Sequence, residues 1–279
     1  ITDNVGNSPS IQGGTLTSGA TEIIITQDSV ATFEISADIR VNHALTKTGA
    51  GTLLLTGNNV YTDETEIQEG ILQVNGTSIG DTSPVNLADD HVATLQLLNS
   101  EAIGRLTGGV NTAGLDTLAT VDIGDFTLTI NSGIGNATFS GKLVGSGILI
   151  KNNSGSNTNQ NFNGANTDFN GMVIVNGGLF QLSNIGSMNA TDYTINSGGS
   201  LLIDNNSTTS TGARILDTAT ITLNSADGAW SGETKPSGLA IRRDQPSAQN
   251  ETVGVITVRS GASYSRLDVT STSTSASTQ

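Results

Sequence analysis

Along most of the chain apolar and polar residues alternate in runs too short for a helix. The runs include "EIIIT" at 22–26, "TLLL" at 52–55, "ILQV" at 71–74, "FTLTI" at 126–130 and "MVIV" at 172–175. "LFQL" at 179–182, "LLID" at 201–204, "TITL" at 220–223 and "VITV" at 255–258 continue the series. A period of two puts alternate side chains on opposite faces of a strand. Gly, Asn, Ser or Asp bounds most of these runs, and these are the residues that turn a chain. Helical periodicity is nearly absent. Many short strands at regular spacing indicate a sandwich, barrel, propeller or β-solenoid, and internal repetition decides among them.

The repetition is present. "YTDETEIQEGILQV" (61–74) aligns without a gap on "FNGMVIVNGGLFQL" (169–182), pairing Tyr61 with Phe169, Ile67 with Val175, Gly70 with Gly178, Leu72 with Phe180, Gln73 with Gln181 and Val74 with Leu182. Upstream, "LTGNN" (55–59) meets "FNGAN" (162–166), "LTK" (45–47) meets "LIK" (149–151), and "ATF" (31–33) meets "ATF" (137–139). The offset drifts slightly between these matches, so insertions have collected in loops such as "SGSNTNQ" at 154–160.

Within the first copy Thr65 and Ile67 share a face, and across Gly70 so do Leu72 and Val74. A corner of about one residue, with the apolar side kept throughout, is what a coil of a solenoid requires. A tight hairpin would favour Asn-Gly or Asp-Gly between antiparallel strands. The pattern therefore predicts an all-β chain, a parallel β-helix (β-solenoid) occupying 1–279 as one unit. Coils of roughly 20–25 residues give about a dozen turns and a rod on the order of 60 Å.

Composition fits this reading. Charged residues make up 13% of the 279, against about 25% in an ordinary globular domain. Stacked strands place like over like, where identical charges repel and Thr, Asn and Ser pair. The net charge of −14, with only 11 Lys and Arg, argues against nucleic acid and against an anionic membrane surface as partners. No apolar run reaches the ~18 residues of a membrane span. There is no cysteine, so disulfides and thiolate metal sites are excluded. The chain starts at Ile1 without a charged start and apolar core, and reads as an excerpt of something longer.

Residues 45–76 resemble the passenger-associated β-strand repeat of bacterial autotransporters. Lys47, Gly49, Gly51, Thr52, Leu53, Leu55, Gly57, Asn59, Tyr61, Thr65, Ile67, Gly70, Leu72 and Val74 carry the resemblance, and Asp63 stands where the repeat usually has Gly. A degenerate second copy, 149–182, keeps Lys151, Gly164, Asn166, Gly171 and Gly178, with Phe169 in place of the Tyr. Segments 195–206 and 251–269 look like the looser coils that flank such repeats. The resemblance implies a right-handed parallel β-helix displayed outside the cell. Autotransporters end in a membrane barrel, and nothing after Ser231 alternates for long enough to form one.

Candidate chemistry is thin. Asp89-Asp90-His91 could contribute to a metal or acid–base site, but a solvated loop is the preferred reading; His43 lies far off in sequence. Asp63, Glu64, Glu66 and Glu69 cluster in the strong repeat, and Glu64 and Glu66 share an outward face, where two carboxylates could flank a sugar or hold Ca²⁺. Their counterparts in the second copy are Met172 and Ile174, so a solvated outer face is preferred. Asp122 and Asp125 flank a turn. "TGAGT" at 48–52 lacks the ending of a phosphate loop, and neither a G-x-S-x-G nor a G-G-x-G-x-D motif occurs. Arg242 and Arg243 form the most basic patch, downstream of Trp230, the sole tryptophan; a sugar could stack there, though a buried or capping Trp is preferred.

No catalytic, cofactor-binding or metal-binding residue is assigned, and no cofactor is expected. The leading expectation is a non-catalytic structural or display segment of a bacterial surface or secreted repeat protein, a rod-like spacer or adhesive surface. Polysaccharide binding or cleavage is the first alternative and a self-assembling extracellular filament the second. Expected partners are neighbouring repeats of a longer protein, or like subunits meeting through the coil ends, with surface glycans as a further class. Residues 270–279, rich in Ser and Thr, read as a tail or linker, and no amphipathic helix caps either end.

Overall fold

A computed structural model of the chain describes residues 1–3, 8–19, 21–61, 63–109, 119–131, 135–152, 158–205, 213–224, 238–243, 251–259 and 266–271. Trp230, residues 272–279 of the Ser/Thr-rich tail and the side chain of Arg243 lie outside the described residues. Among the described residues all regular structure is strand, and the strands pair in parallel.

The strands stack into three walls. The first is a twelve-stranded sheet running from Thr2–Asp3 to Arg266–Ser271. The second is a seven-stranded sheet from Ser10–Ile11 to Lys142–Val144, continued by the pair Ala165–Asn166 and Ser187–Met188. The third begins with Thr15–Leu16 and Asp38–Ile39 and resumes as a seven-stranded sheet from Glu101–Ile103 to Ile256–Arg259. The backbone visits the walls in turn, and each strand pairs with the strand one coil later. This is the β-solenoid that the alternation predicts.

The core is a set of inward columns. On the first wall Ile25, Lys47, Ile67 and Leu87 lie in register. On the second, Phe33, Leu53, Leu72, Leu95, Val121 and Leu143 do so, and all six are buried. Phe139 and Phe162 meet edge to face at 6.2 Å, and Phe180 stacks on Phe162 at 5.0 Å. Truncating one such side chain to Ala costs about 2–5 kcal/mol through lost transfer energy and the cavity left behind.

Among the described residues the chain crosses the first wall twelve times, once per coil. The coils are unequal in length, because insertions lengthen some of them. On the first wall Gly108 pairs with Phe139, and Leu201 with Leu239, so these two coils absorb far more residues than the one joining Leu45 to Thr65.

The two sequence copies do not occupy equivalent walls. Thr65–Ile67 lies in the first wall and Gly70–Val74 in the second, whereas Met172–Val175 lies in the third and Gly178–Leu182 in the first. Tyr61 accordingly precedes a first-wall strand and Phe169 a third-wall strand, although the two align in sequence. The second copy is displaced by one wall. The motif therefore goes with two strands and the corner between them rather than with a particular pair of walls.

Candidate functional site

An open groove of about 570 Å³ lies at the corner between the first and second walls, beside the strong repeat. It exists because successive corners differ in length. One coil turns from Ile67 to Gly70 through Gln68 and Glu69, while the next runs from Leu87 to Ala93 through Ala88, Asp89, Asp90, His91 and Val92. The longer corner overhangs the shorter. The groove thereby brings together two clusters that lie apart in sequence: Glu66 and Glu69 from the repeat, and Asp89, Asp90 and His91 from the following corner.

The groove has acid but no converging chemistry. Asp90 and His91 pair at 2.8 Å, both well exposed; their mutual hydrogen bond lowers the Asp90 pKa and raises that of His91. Glu66 stacks between Thr46 and Asn86 in register, so an amide and a hydroxyl flank it rather than a second carboxylate. Glu64 has its pKa raised by burial, with Arg105 opposing and Glu66 assisting the shift. No group of three His, Asp or Glu among the described residues is placed to hold a metal ion. His43 sits in another corner, ahead of Leu45–Thr48, and is not part of the groove.

The remaining sequence candidates serve the fold. Asp122 accepts Gln96 Nε2 and the Gly124 N–H, both at 3.0 Å, and Asp125 accepts the Ser146 hydroxyl. Arg242 forms a fork on Asp204 at 3.0 and 2.7 Å. Asp204 also ends an amide ladder in which Asn159 donates to Gln181 and Gln181 to Asp204.

The groups that most perturb their surroundings are ones the sequence pattern does not mark as chemistry. Lys47 is fully buried. Its ammonium donates to the carbonyls of Thr48 at 3.0 Å, Gly49 at 2.5 Å and Glu69 at 2.9 Å. Burial brings its pKa down to about 8, with Glu69 and Asp28 opposing. Lys151, the counterpart in the second copy, is likewise buried and reaches the carbonyls of Asn152 at 2.9 Å and Gly177 at 3.4 Å; burial brings its pKa to about 8. Each lysine thus ties the corner after its own strand to the corner one coil later. Gly70 lies under the first clamp with φ of 73°, and a Cβ there would run into the carbonyl oxygens of Gly49 and Gly51. Only glycine allows the two corners to approach this closely.

Asn59 and Asn166, also matched by the repeat, do parallel work. Asn59 Oδ1 accepts the Ile39 N–H at 2.8 Å from the preceding coil, and Nδ2 donates to Ser78 O at 2.7 Å in the following one. Asn166 accepts the Leu143 N–H at 2.7 Å and donates to Ser187 O at 3.1 Å. Glu101 is nearly buried; its Oε2 accepts the N–H groups of Ser78 at 2.9 Å and Ile79 at 3.4 Å, and its Oε1 that of Ala102 at 3.0 Å. Further along, the Arg214 guanidinium caps the carbonyls of Asn184 and Gly186, while the Glu251 carboxylate receives the N–H groups of Arg214 and Ile215. The signal for Lys47 lies in the alternation: it shares the parity of Leu45, and that alone turns it inward.

Comparison with known proteins agrees with this geometry. Residues 45–74 match the passenger-associated-transport-repeat family. The adhesin BmaC autotransporter of Brucella suis biovar 1 (strain 1330) is 29% identical over 178 residues, which is 63% of this chain and 5% of that protein. An extracellular serine protease of Serratia marcescens is 52% identical over 42 residues, 15% of this chain and 4% of the protease, and a second one from the same organism is 50% identical over 42 residues. The chain therefore spans about a twentieth of the length of the curated relatives it matches. No solved structure matches it. Residues 45–74 are thus a passenger-associated-transport repeat, set in a β-solenoid that is similar to the passengers of autotransporters.

Proposed function

We propose that this protein is a non-catalytic display segment, a rod-like spacer or adhesive surface of a bacterial surface-exposed or secreted protein. The observation that carries this reading is what the buried polar groups do. Lys47, Lys151, Asn59, Asn166 and Glu101 all direct their hydrogen-bonding capacity to backbone groups of adjacent coils. Their work is to keep a stack of coils rigid, and none of them faces the acidic groove. The adhesin name of one relative supports an outward-facing role, and the protease names rest on short matches of 42 residues.

The test is direct. The folded protein is incubated with a panel of polysaccharides and with unstructured polypeptide, and products are followed by mass spectrometry. The proposal expects no turnover; sustained cleavage of any substrate, abolished by substitution in the acidic groove, overturns it. In a full-length parent, exchanging this segment for an unrelated β-solenoid of equal length keeps the distal part displayed and accessible to external protease.

A further inference from the structure

Four Asn-Gly pairs occur, at 75–76, 163–164, 170–171 and 176–177. This dipeptide can modify itself. The backbone nitrogen of the glycine attacks the carbonyl carbon of the asparagine amide and forms a new bond to it. The bond from that carbon to the amide nitrogen breaks and releases ammonia. The five-membered succinimide then takes up water at either carbonyl and opens to aspartate or to isoaspartate, whose backbone runs through the former side chain. No oxidation or reduction occurs; water is the only co-reactant. The reaction needs a free asparagine amide and a local backbone able to rotate, because glycine alone lacks the Cβ that would block the approach.

The fold withholds these conditions from three of the four pairs. Asn163 Oδ1 accepts Asn161 Nδ2 at 2.8 Å and the Ser183 hydroxyl at 2.7 Å, and Gly164 is wedged against Gly141 O. Gly171, after Asn170, is wedged in the same way against Gly147 O. Asn176 is held in an amide ladder on the corner between the third and first walls, donating to Asn152 at 2.8 Å and accepting from Asn196 at 2.6 Å. That ladder extends from Asn131 to Asn224.

The pair of Asn75 and Gly76 carries neither restraint, a held amide or a wedged glycine. Asn75 is exposed, and its side chain makes no hydrogen bond among those of the described residues. Gly76 has φ of 84°, and a Cβ built there would meet nothing within 4 Å. We infer that Asn75 is a site of spontaneous succinimide formation and deamidation, the one Asn-Gly pair of the four that the folded rod leaves free to react. Its position gives the reaction a consequence. Asn75 follows the last core residue of the strong repeat, Val74, and its carbonyl accepts the Ser78 hydroxyl at 3.2 Å. Ser78 in turn gives its N–H to Glu101. Isoaspartate at 75 lengthens the backbone at this corner and loosens the Ser78 attachment, so the rod ages first beside its repeat.

The test uses the intact protein. The folded form is held at mildly alkaline pH and sampled over weeks, with peptide mapping that resolves aspartate from isoaspartate and scores all four pairs. A parallel sample is held in denaturant. In the folded protein, conversion at Asn75 is expected to run at least tenfold faster than at Asn163, Asn170 and Asn176. In denaturant the four rates converge. An Asn75 rate no greater than the others in the folded protein overturns the inference, and so does a rate advantage that persists undiminished in denaturant, since sequence rather than fold would then be its source. Asn75→Gln, checked for unchanged circular dichroism, removes the fast phase of ammonia release.

Discussion

Lys47 Nζ donates to Glu69 O at 2.9 Å and so joins two successive coils from inside the core. A buried cation is normally a weak source of stability, and replacing a whole ion pair by apolar groups is often neutral. Here the partners are main-chain carbonyls, which remain when the lysine is gone. Lys47→Met keeps most of the volume but leaves the carbonyls of Thr48, Gly49 and Glu69 without their donor. The expected loss is about 2–4 kcal/mol, from unsatisfied acceptors at ~1–3 kcal/mol each and partial relaxation. Hydrogen exchange at residues 71–74 reads it locally, and urea unfolding reads it globally. Exchange as slow as in the wild type would mean that the clamp is dispensable.

Glu101 sets a pH dependence with a definite sign. Burial raises its pKa from 4.5 to about 7, against the hydrogen bonds from Ser78, Ala102 and Ile79. The folded protein therefore holds a proton that the unfolded one has already released across this window. The contribution of Glu101 to stability is complete below about pH 4.5, declines as pH rises to about 7, and is flat above. The full swing is up to about 3 kcal/mol, at 1.36 kcal/mol per pKa unit. Glu101→Gln removes this slope. It also costs about 1 kcal/mol at pH 5, because the amide NH₂ must face one of three backbone N–H groups. Melting temperatures of both proteins between pH 4.5 and 8 make the comparison. Lys47 and Lys151 work in another window. Their folded pKa values of about 8 lie below the ordinary 10.5, so the cost of burying them is fully felt below pH 8 and disappears as pH rises towards 10.5.

Much of this architecture was legible because stacking makes sequence and structure nearly collinear. Leu53, Leu55, Ile67, Leu72 and Val74 alternate, and all five are buried. Repetition across Gly70 and Gly178 gave the corner. What could not be read was the phase of the second copy, since Ile67 and Val175 look alike whether they line the first wall or the third. The meeting of Glu66 with Asp89 was equally hidden, since it depends on the corner at 88–92 overhanging its neighbour. The polar interior was missed for another reason: Asn59 and Glu101 do their work through backbone groups one coil away, which sequence patterns do not encode.

Asn59 and Asn166 occupy matched positions on different walls and bridge three coils each, so they should respond alike. Asn59→Ala removes an acceptor for Ile39 N–H and a donor for Ser78 O, with an expected cost of about 1–3 kcal/mol. Asn59→Asp is expected to cost more at neutral pH. A carboxylate keeps the acceptor, loses the donor and adds an unpaired buried charge. Asn166→Asp follows the same order for the same reason. Urea denaturation of the four variants, each Asn changed to Ala and to Asp, gives the ranking. Equal stability of the Ala and Asp forms at pH 7 would show that these side chains are reached by solvent.

The acidic groove makes a prediction of the opposite sign. Glu66 faces the cavity with Glu69, Asp89 and Asp90, and like charges so grouped repel. At low ionic strength Glu66→Gln should raise stability by about 0.2–1 kcal/mol, the scale of interactions between exposed charges. The gain should shrink at 1 M salt, where the Debye length falls to about 3 Å. Lowering the pH to 5 should shrink it too, because Asp90 raises the His91 pKa and the protonated imidazole then offsets part of the negative charge. Thermal melts of the two proteins in low salt, in high salt and at pH 5 separate these terms. A loss of stability on Glu66→Gln would mean instead that the Glu66 carboxylate is held by a cationic neighbour and belongs to the scaffold of the corner.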